Sequence, residues 1–377
     1  MTTTKNNEHK KLNVPNLRFP EFQGEWNKRK LEDVMNFSSS RVSSSDLNSE
    51  NYVSTENMLQ DFQGIVNAKS VPENVNVISF SCGDILISNI RPYLRKVWKA
   101  TFDGGCSSDV FVLQANDKID PDYLHYVVAN DKFINFVMSG AKGVKMPRGD
   151  KKQMKTYSLS LPLIQEQQKT SRLLALLDER IATQNKIIDK LQSLIKGISN
   201  IIFASIQGRE YRMGEIATIT NGDSNVQDAV TEPKEGMYPF FDRSEDIKYL
   251  PTFLFDKEAL IYPGEGAEFM PRYIKGKFAL HQRCYAIFDF KDIVTVQFLY
   301  FYLKTQNSYF IRNAVGSTVL SLRLDTFQKL KVVIPSKVMQ RKVSLCLSSI
   351  EQKCNAEKVI LQSLLKQKQY LLRQMFI

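Results

Sequence analysis

The sequence predicts an α+β protein built by tandem duplication, with two mixed, strand-rich modules that are each followed by one long helix. Residues 161–203 superimpose without a gap on residues 334–376 after a displacement of 173 residues. Both segments carry apolar residues at alternating spacings of three and four, which is the pattern of a helix packed along another helix. The segments before them contain short apolar runs bounded by Gly, Asn, Ser or Asp, as strands do.

The duplication extends beyond the two helical segments. Gln167 falls on Gln340 and Phe203 on Phe376 under the same displacement, and upstream Gly143 falls on Gly316. Further back the match continues with slips of one or two residues. Two copies are too few for a solenoid. Two related modules on matching helices imply an approximate internal two-fold axis, which we describe as pseudo-two-fold symmetry.

The helical segments predict an antiparallel coiled coil. About 40 residues at ~1.5 Å per residue give a helix of ~60 Å. In the seam, Gln184 and Glu357 occupy equivalent places, either as a polar pair that fixes the register or as partly exposed positions. Pairing of each helix with another chain, or burial as an ordinary core helix, are the alternatives. The predicted seam residues are Leu174, Leu177, Ile181, Ile188, Leu191, Ile195, Ile198, Leu347, Ile350, Leu361, Leu364 and Leu371.

These patterns divide the chain into five parts. We expect a flexible tail at 1–14, the first module at 15–162, the first long helix at 163–207, the second module at 208–335 and the second long helix at 336–377.

Composition favours a polyanionic partner. The chain of 377 residues has 51 Lys and Arg against 40 acidic residues, a formal net charge of +11. Nucleic acid is the first candidate, and a merely basic soluble protein is the alternative. The five cysteines form no CxxC pair, so we expect neither a zinc site nor a disulfide framework. Without a signal core or an apolar run of ~20 residues, a cytoplasmic location is expected.

Basic loops recur at matching places in the two modules. Arg, Lys, Ser and Thr beside a flexible Gly are suited to phosphate contact and to reading base edges, although a solvated turn is the alternative for any single loop. The candidate DNA-binding residues are Arg91, Tyr93, Arg95, Lys96, Lys142, Lys145 and Arg148 in the first module and Arg272, Tyr273, Lys275, Gln282, Arg283, Ser317, Thr318 and Arg323 in the second.

Catalytic patterns are missing from the sequence. Of the three histidines, His9 lies in the polar tail, His125 falls in an apolar helical pattern, and His281 either faces DNA or has a structural role. No pairing suggests a metal site or a Ser–His or Cys–His nucleophile. The chain also has no P-loop and no adenine-methyltransferase signature. We therefore expect no catalytic residue, no metal and no cofactor bound by this chain.

Several of these segments resemble the specificity subunit of bacterial type I restriction–modification systems. The segments are "VPNLRFPEFQGEW", "CGDILISNIRPYLRKVWKATFDGGCSSDVFVL" and "GAKGVKMPRGDKKQMKTYSLSLPLIQEQQKTSRLLALLDERI", and the likeness covers nearly the whole chain. The second helix departs from it, because Met339 stands where the first has Glu166.

The resemblance implies two target recognition domains, each reading one half of an asymmetric two-part site in double-stranded DNA, with the helices setting the gap. It implies two modification subunits that bind S-adenosylmethionine and methylate adenine, and restriction subunits that use ATP and magnesium. It further implies a chain that catalyses nothing itself. A coiled-coil scaffold with only unspecific DNA affinity is the alternative, and a self-contained methyltransferase is a third hypothesis.

Overall fold

The computed structural model describes residues 13–377, which form two compact units. The first unit comprises the residues up to Thr183 together with Leu361–Ile377, and the second comprises Gln184–Ile360. Each unit therefore contains one module and a piece of each long helix. Of the tail predicted at 1–14, only Asn13 and Val14 are described, and His9 lies outside the described residues.

The first module is strand-rich and ends in short helices. Its elements are β1 (Asn27–Lys30), β2 (Met35–Phe37), β3 (Arg41–Ser43), β4 (Tyr52–Val53), β5 (Asn76–Phe80), β6 (Ile85–Ser88), β7 (Val97–Lys99), β8 (Gly104–Cys106), β9 (Val110–Ala115), α1 (Pro121–Val128), α2 (Asp131–Ser139), α3 (Lys151–Lys155) and β10 (Ser158–Leu161), followed by the first long helix, α4 (Ile164–Ser205).

Two four-stranded sheets build the core of this module. Their strand orders are β2-β9-β6-β7 and β3-β5-β8-β4, and β1 pairs with β10 as a separate ribbon. β6 is buried along its whole length because both of its faces are covered. Ile85 and Ile87 face the helices, whereas Leu86 packs into a second cluster with Val112. A continuous apolar run is what such a two-sided strand requires.

The second module repeats this plan with longer strands. Its elements are β11 (Arg209–Arg212), α5 (Met213–Ile216), β12 (Thr218–Asn221), β13 (Tyr238–Phe241), β14 (Lys248–Leu250), β15 (Phe255–Pro263), β16 (Arg272–Leu280), β17 (Cys284–Phe288), α6 (Val296–Lys304), α7 (Asn307–Asn313), α8 (Leu324–Lys329) and β18 (Lys331–Ile334), followed by the second long helix, α9 (Lys337–Gln374).

One six-stranded sheet forms the centre of the second module. Its order is β12-β17-β15-β16-β13-β14, and β11 pairs with β18 in a separate ribbon. The side chains of β15 again point alternately to the two faces of the sheet and join two clusters. Leu260 and Tyr262 face the helices, and Ala259 and Ile261 face the other side.

The long helices run antiparallel within each unit, and every predicted seam residue on them is buried or half-buried. In the second unit Gln184 of α4 contacts Glu357 of α9, while further along α4 Ile198 shares a core with Leu347. Residues further along α4 thus contact residues nearer the start of α9, as antiparallel helices require. In the first unit Lys368 of α9 forms an ion pair with the carboxylate of Asp178 on α4 at 2.6 Å.

Gln184 and Glu357 form a buried polar pair in the seam. The Gln184 Nε2 donates to the Glu357 main-chain carbonyl at 3.1 Å and also to its carboxylate. Lys353, one turn earlier on α9, approaches the same carboxylate at 2.5 Å. This lysine, and after it the hydrogen bond from Gln184, hold the pKa of Glu357 below its usual value. The register-fixing interpretation of the pair therefore fits better than an exposed position.

A buried glutamine joins the start of each long helix to its module. The Gln167 Nε2 donates to the carbonyls of Pro162 at 3.0 Å and Lys118 at 3.4 Å, and its Oε1 accepts from the Asp120 N–H at 2.9 Å. Gln340 repeats the three bonds, with the partners Pro335, Ile293 and Thr295. Each amide uses both N–H donors and its oxygen, as burial of a polar side chain demands.

A phenylalanine near the end of each long helix packs on the module helix. In the first unit Phe376 stacks on Tyr123 of α1 with ring centroids 5.1 Å apart. In the second unit Phe203 meets Phe298 of α6 edge-on at 5.6 Å. The matched positions found in the sequence thus make matched contacts in the two units.

Removing one seam side chain tests the energetic weight of this packing. Leu347 is completely buried, so Leu347→Ala leaves a cavity and should lower the free energy of unfolding of the second unit by about 2–5 kcal/mol. Leu345→Ala is the matched control, because Leu345 lies on the same helix but is 72% exposed and should change stability by less than about 0.5 kcal/mol. Urea unfolding of the two variants measures the difference. Equal losses would show that the seam does not stabilise the unit.

Candidate nucleic-acid interface

Two candidate loops of the first module pack against each other. Residues 142–148 form a short hairpin in which Lys142 bridges Arg148, and Ile90 of the neighbouring loop bridges Arg148 as well. The Arg91 N–H donates to the Pro147 carbonyl at 2.8 Å. Gly143 turns the hairpin at φ 95°, a conformation that favours glycine. Lys145 thus lies at an exposed tip between Val144 and Met146.

Two of the candidate cations of the first module are engaged in contacts within the module. The Lys96 Nζ donates to the Thr55 carbonyl at 2.6 Å, and burial, followed by the nearby Arg91, lowers its pKa. Arg95 lies between two carboxylates, Asp61 at 3.5 Å and Asp131 at 3.2 Å. These two side chains are occupied within the module.

Other first-module candidates face solvent. Tyr93 is 48% exposed. Lys142 is largely exposed too, although its Nζ lies 3.3 Å from the Asp150 carboxylate. With Lys145 at the hairpin tip, these side chains have the freedom to meet a partner.

The backbone around these loops is strained. Arg91 and Arg95 adopt left-handed φ values of 51° and 55°, and Asp61 and Phe62 in the loop that contacts them have 52° and 61°. The N–H groups of Asp61 and Phe62 donate to the carbonyls of Leu94 and Arg95, so the two loops hold each other in place. Non-glycine residues in this region cost on the order of 1–3 kcal/mol each and are concentrated at functional sites.

The second module carries an equivalent hairpin. Val315 bridges Ser321, and Ser321 also bridges Glu265 of the loop after β15. Gly316 has φ 110°, and a side chain there would collide with the Val319 carbonyl. Ser317 and Thr318 are exposed at the tip.

Arg272 has a structural role rather than a free surface position. Its guanidinium donates to the carbonyls of Ser244 at 2.8 Å and Asp242 at 2.6 Å, and it stacks over Phe241 at 5.0 Å. Tyr273 is exposed but donates to Glu258 at 2.6 Å; burial and that carboxylate raise its pKa to about 12. Lys275, Arg323 and the hairpin tip remain exposed.

The turn between β16 and β17 borders a polar pocket of about 260 Å³. Arg283 on this turn donates to both carboxylate oxygens of Glu265, at 3.0 and 3.1 Å. The His281 Nδ1 accepts the Arg283 N–H at 3.2 Å, and burial lowers the pKa of His281. Gln282 reaches Asn225 at 3.4 Å.

Sequence reasoning missed the acidic partners and one basic strand. Asp109 pairs with Arg148 at 2.9 Å, just as Glu265 pairs with Arg283. The sequence prediction rested on basic and polar residues suited to DNA contact, so it did not include these carboxylates. On β1, Lys28, Arg29 and Lys30 are all exposed. The density of cations in "NKRK" was the signal that could have found this strand.

His125 occupies the contact between the first module and the long helices. Its Nδ1 is buried and has no hydrogen-bond partner among residues 13–377. Burial, then the nearby Lys368 ammonium, lowers the pKa of His125 to about 4. The neighbouring Tyr126 donates to Asp178 at 2.9 Å. The ring therefore has the structural position expected from its apolar helical pattern.

Comparison with known proteins identifies the family. Residues 23–193 and 208–366 each match the family described as Type I restriction modification DNA specificity domain. The matched residues make up most of the chain, and this protein belongs to that family.

Individual relatives match over parts of their length. The chain is 26% identical over 161 residues, 42% of its length, to the type I restriction enzyme EcoDI specificity subunit of Escherichia coli. It is 30% identical over 119 residues, 31% of its length, to the MjaVIII specificity subunit of Methanocaldococcus jannaschii. The matched segments span 34% and 28% of these curated relatives, about a third of their length.

Solved structures agree in fold over nearly the whole chain. The S subunit of a type I restriction–modification system from M. genitalium superimposes with a TM-score of 0.65 at 17% identity, covering 97% of this chain and 99% of that one. A chain from a study of complex assembly and conformational transition of the type I R-M system gives 0.54 at 16% identity, covering 92% and 96%. Within residues 13–377, no helix is long and apolar enough to cross a membrane.

Acid should destabilise the first unit through His125. Because its folded pKa of about 4 lies below the ordinary 6.5, the unfolded chain binds more protons between these values. Stability is therefore retained above pH 6.5 and falls as the pH drops toward 4, by on the order of 1–2 kcal/mol at pH 5. His125→Leu should remove this component. Denaturant unfolding at pH 7 and pH 5 measures it, and an unchanged pH dependence in the variant would contradict the assignment.

Proposed function

We propose that this chain is the DNA-specificity subunit of a type I restriction–modification complex, in which each module reads one half of a bipartite, asymmetric site in double-stranded DNA. The observation that carries the proposal is the repetition, in two diverged modules of this family, of the same exposed loop arrangement. The relatives that match are themselves named specificity subunits.

The loop chemistry supports two different half-sites. The first hairpin presents Lys145 between apolar neighbours, and the second presents Ser317 and Thr318. Side chains that differ in charge and hydrogen-bonding groups select different base edges. The overall excess of cations supports phosphate contact, which positions the modules without specifying sequence.

The two long helices are proposed to set the gap between the half-sites. α4 has 42 residues and α9 has 38, which correspond to ~60 Å of helix at ~1.5 Å per residue. The buried Gln184–Glu357 pair supports a fixed register, since a slip would leave both polar groups without their partners.

Apolar side chains outside the seam support docking of partner subunits on the helices. The exposed apolar residues of α4 and α9 are Ile164, Leu176, Ile187, Leu194, Ile201, Val338, Met339, Leu345, Val359, Ile360, Leu365 and Tyr370. Exposed apolar side chains that form a continuous patch along a helix are typical of a surface that binds another protein.

We propose two modification subunits, with restriction subunits joining for cleavage. In this proposal the modification subunits hold S-adenosylmethionine, the restriction subunits use ATP and magnesium, and this chain catalyses no step.

Mapping of methylated adenines tests the proposal. The chain is co-expressed with its modification subunit in cells that lack other adenine methylation, and genomic DNA is sequenced with base-modification detection. We expect one two-part motif with a fixed gap. If the complex assembles but no such motif appears, the alternative of a coiled-coil scaffold with only unspecific DNA affinity takes its place.

Lengthening the helices tests the gap-setting role separately. A copy of residues 185–191 inserted after Leu191, together with a copy of 350–356 inserted ahead of Ile350, adds one heptad to each helix at the same level of the antiparallel pair. These insertions keep the seam in phase and leave Gln184 opposite Glu357. The added ~10.5 Å should lengthen the gap by about three base pairs. A chain with the same seven residues ahead of Met1 is the control. An unchanged gap would show that the helices do not set it.

A further inference from the structure

Three segments meet at the same place in each module. In the first they are the strand-end loop 89–91, the turn 107–109 and the hairpin 142–148; in the second they are 264–266, 281–283 and 315–321. We name each meeting point the loop junction. The Gly149 N–H donates to the Asn89 carbonyl at 3.0 Å, and at the matching positions the Leu322 N–H donates to the Gly264 carbonyl at 2.8 Å.

The turn is joined to the strand-end loop in both junctions. The Asn89 N–H donates to the Asp109 carbonyl at 2.8 Å in the first module. In the second, Gly264 lies so close to the main-chain carbonyl of Arg283 that a side chain there would collide with it. Equivalent backbone contacts therefore fix the geometry of both junctions, and these contacts do not depend on the side chains.

Each junction contains a close arginine–carboxylate pair, and the turn bears opposite charges in the two modules. In the second module Glu265 also lies 3.9 Å from the Arg243 guanidinium. In the first module the turn supplies Asp109 and the hairpin supplies Arg148, 2.9 Å apart. In the second the turn supplies Arg283 and the strand-end loop supplies Glu265, 3.0 Å apart. The junction is thus retained while the element that bears the arginine changes.

Exposure shows which partner is available to a ligand. The Arg148 side chain is 55% exposed against 31% for Asp109, and Arg283 is 62% exposed against 18% for Glu265. In each pair the carboxylate is the covered partner. Each guanidinium contacts its carboxylate through one nitrogen and keeps other N–H donors exposed to solvent.

The charge balance favours a base edge over a phosphate at this point. A carboxylate within 3 Å of the guanidinium offsets its charge and repels an approaching phosphate. A guanine edge offers two neutral acceptors, O6 and N7, which match two N–H donors of a fixed guanidinium. Because the arginine is already oriented, little side-chain freedom is lost when it binds.

We infer that the loop junction is the base-reading centre of each module: Arg148 discriminates a base in one half-site and Arg283 in the other, and Asp109 and Glu265 are positioning residues. The inference rests on the proposed function and assigns it to particular side chains. It predicts that the two arginines act independently, each on its own half of the motif.

Methylation mapping of single variants with the modification subunit tests the inference. Arg148→Ala should relax one position in one half, and Arg283→Ala one position in the other half, each with a roughly 5- to 150-fold loss of discrimination. Arg148→Lys and Arg283→Lys keep the charge but not the paired donors, and should relax the same positions. These lysine variants give the answer if an alanine variant fails to fold.

Methylation mapping also tests the positioning role of Asp109 and Glu265. Asp109→Asn and Glu265→Gln keep the shape of the side chain, and each should relax the same base position as its arginine partner, with a smaller loss. Asp289→Asn removes an exposed carboxylate from the Lys257 pair, at the opposite end of β17 from the loop junction, and should leave the motif unchanged.

The outcomes separate the two proposals. A wild-type chain that yields a two-part motif, with junction variants that methylate the same motif at full discrimination, overturns the inference and leaves the proposed function standing. Relaxation of both halves by one variant also overturns it, because the arginines would not act independently. Absence of any two-part motif with the wild-type chain rejects the proposed function and the inference together.

Discussion

Packing of the long helices against their modules is the constraint on which the rest of each unit depends. In the first unit the start of α4 and the end of α9 lie in the same core as α1 and α2, so Leu174 and Phe376 belong to one cluster. In the second, Leu347 near the start of α9 lies with Ile198 and Phe203 near the end of α4. Neither core is complete without both helices, so the modules that bear the loops depend on this packing for their stability.

Polar contacts at the same interface show which features duplication has kept and which it has changed. In the first unit Asp178 of α4 binds the Tyr126 hydroxyl and the Lys368 ammonium. In the second, Glu351 of α9 accepts from Tyr300 at 3.2 Å and from Lys304 at 2.5 Å. The carboxylate stays on the long helix in both units. The lysine comes from the other long helix in one unit and from the module helix in the other, so the charge balance is kept by different residues.

The helices and the duplication could be predicted from the sequence because their signals are local or periodic. A seam residue such as Leu174 follows from spacing alone, and Gln167 and Gln340 stand out because the repeat is gapless there. The charge pairs of the loop junctions could not be predicted, since Asp109 and Arg148 are separated by 39 positions and meet only after the strands fold. The contacts of Arg272 could not be predicted for the same reason, because the carbonyls that its guanidinium meets belong to residues about 30 positions away.

The contrast between helices and loops bears on which parts of the chain tolerate substitution. A seam residue contacts both helices, and replacing it leaves a cavity or an unpaired polar group, so substitution there is costly. The loop junction is held mainly by backbone hydrogen bonds, which do not depend on which side chain is present. The segments that supply its arginine and carboxylate can therefore change, as they do between the two modules, while the backbone contacts are retained. Under the proposed function, such a chain can alter the bases that it reads without altering the length of its helices.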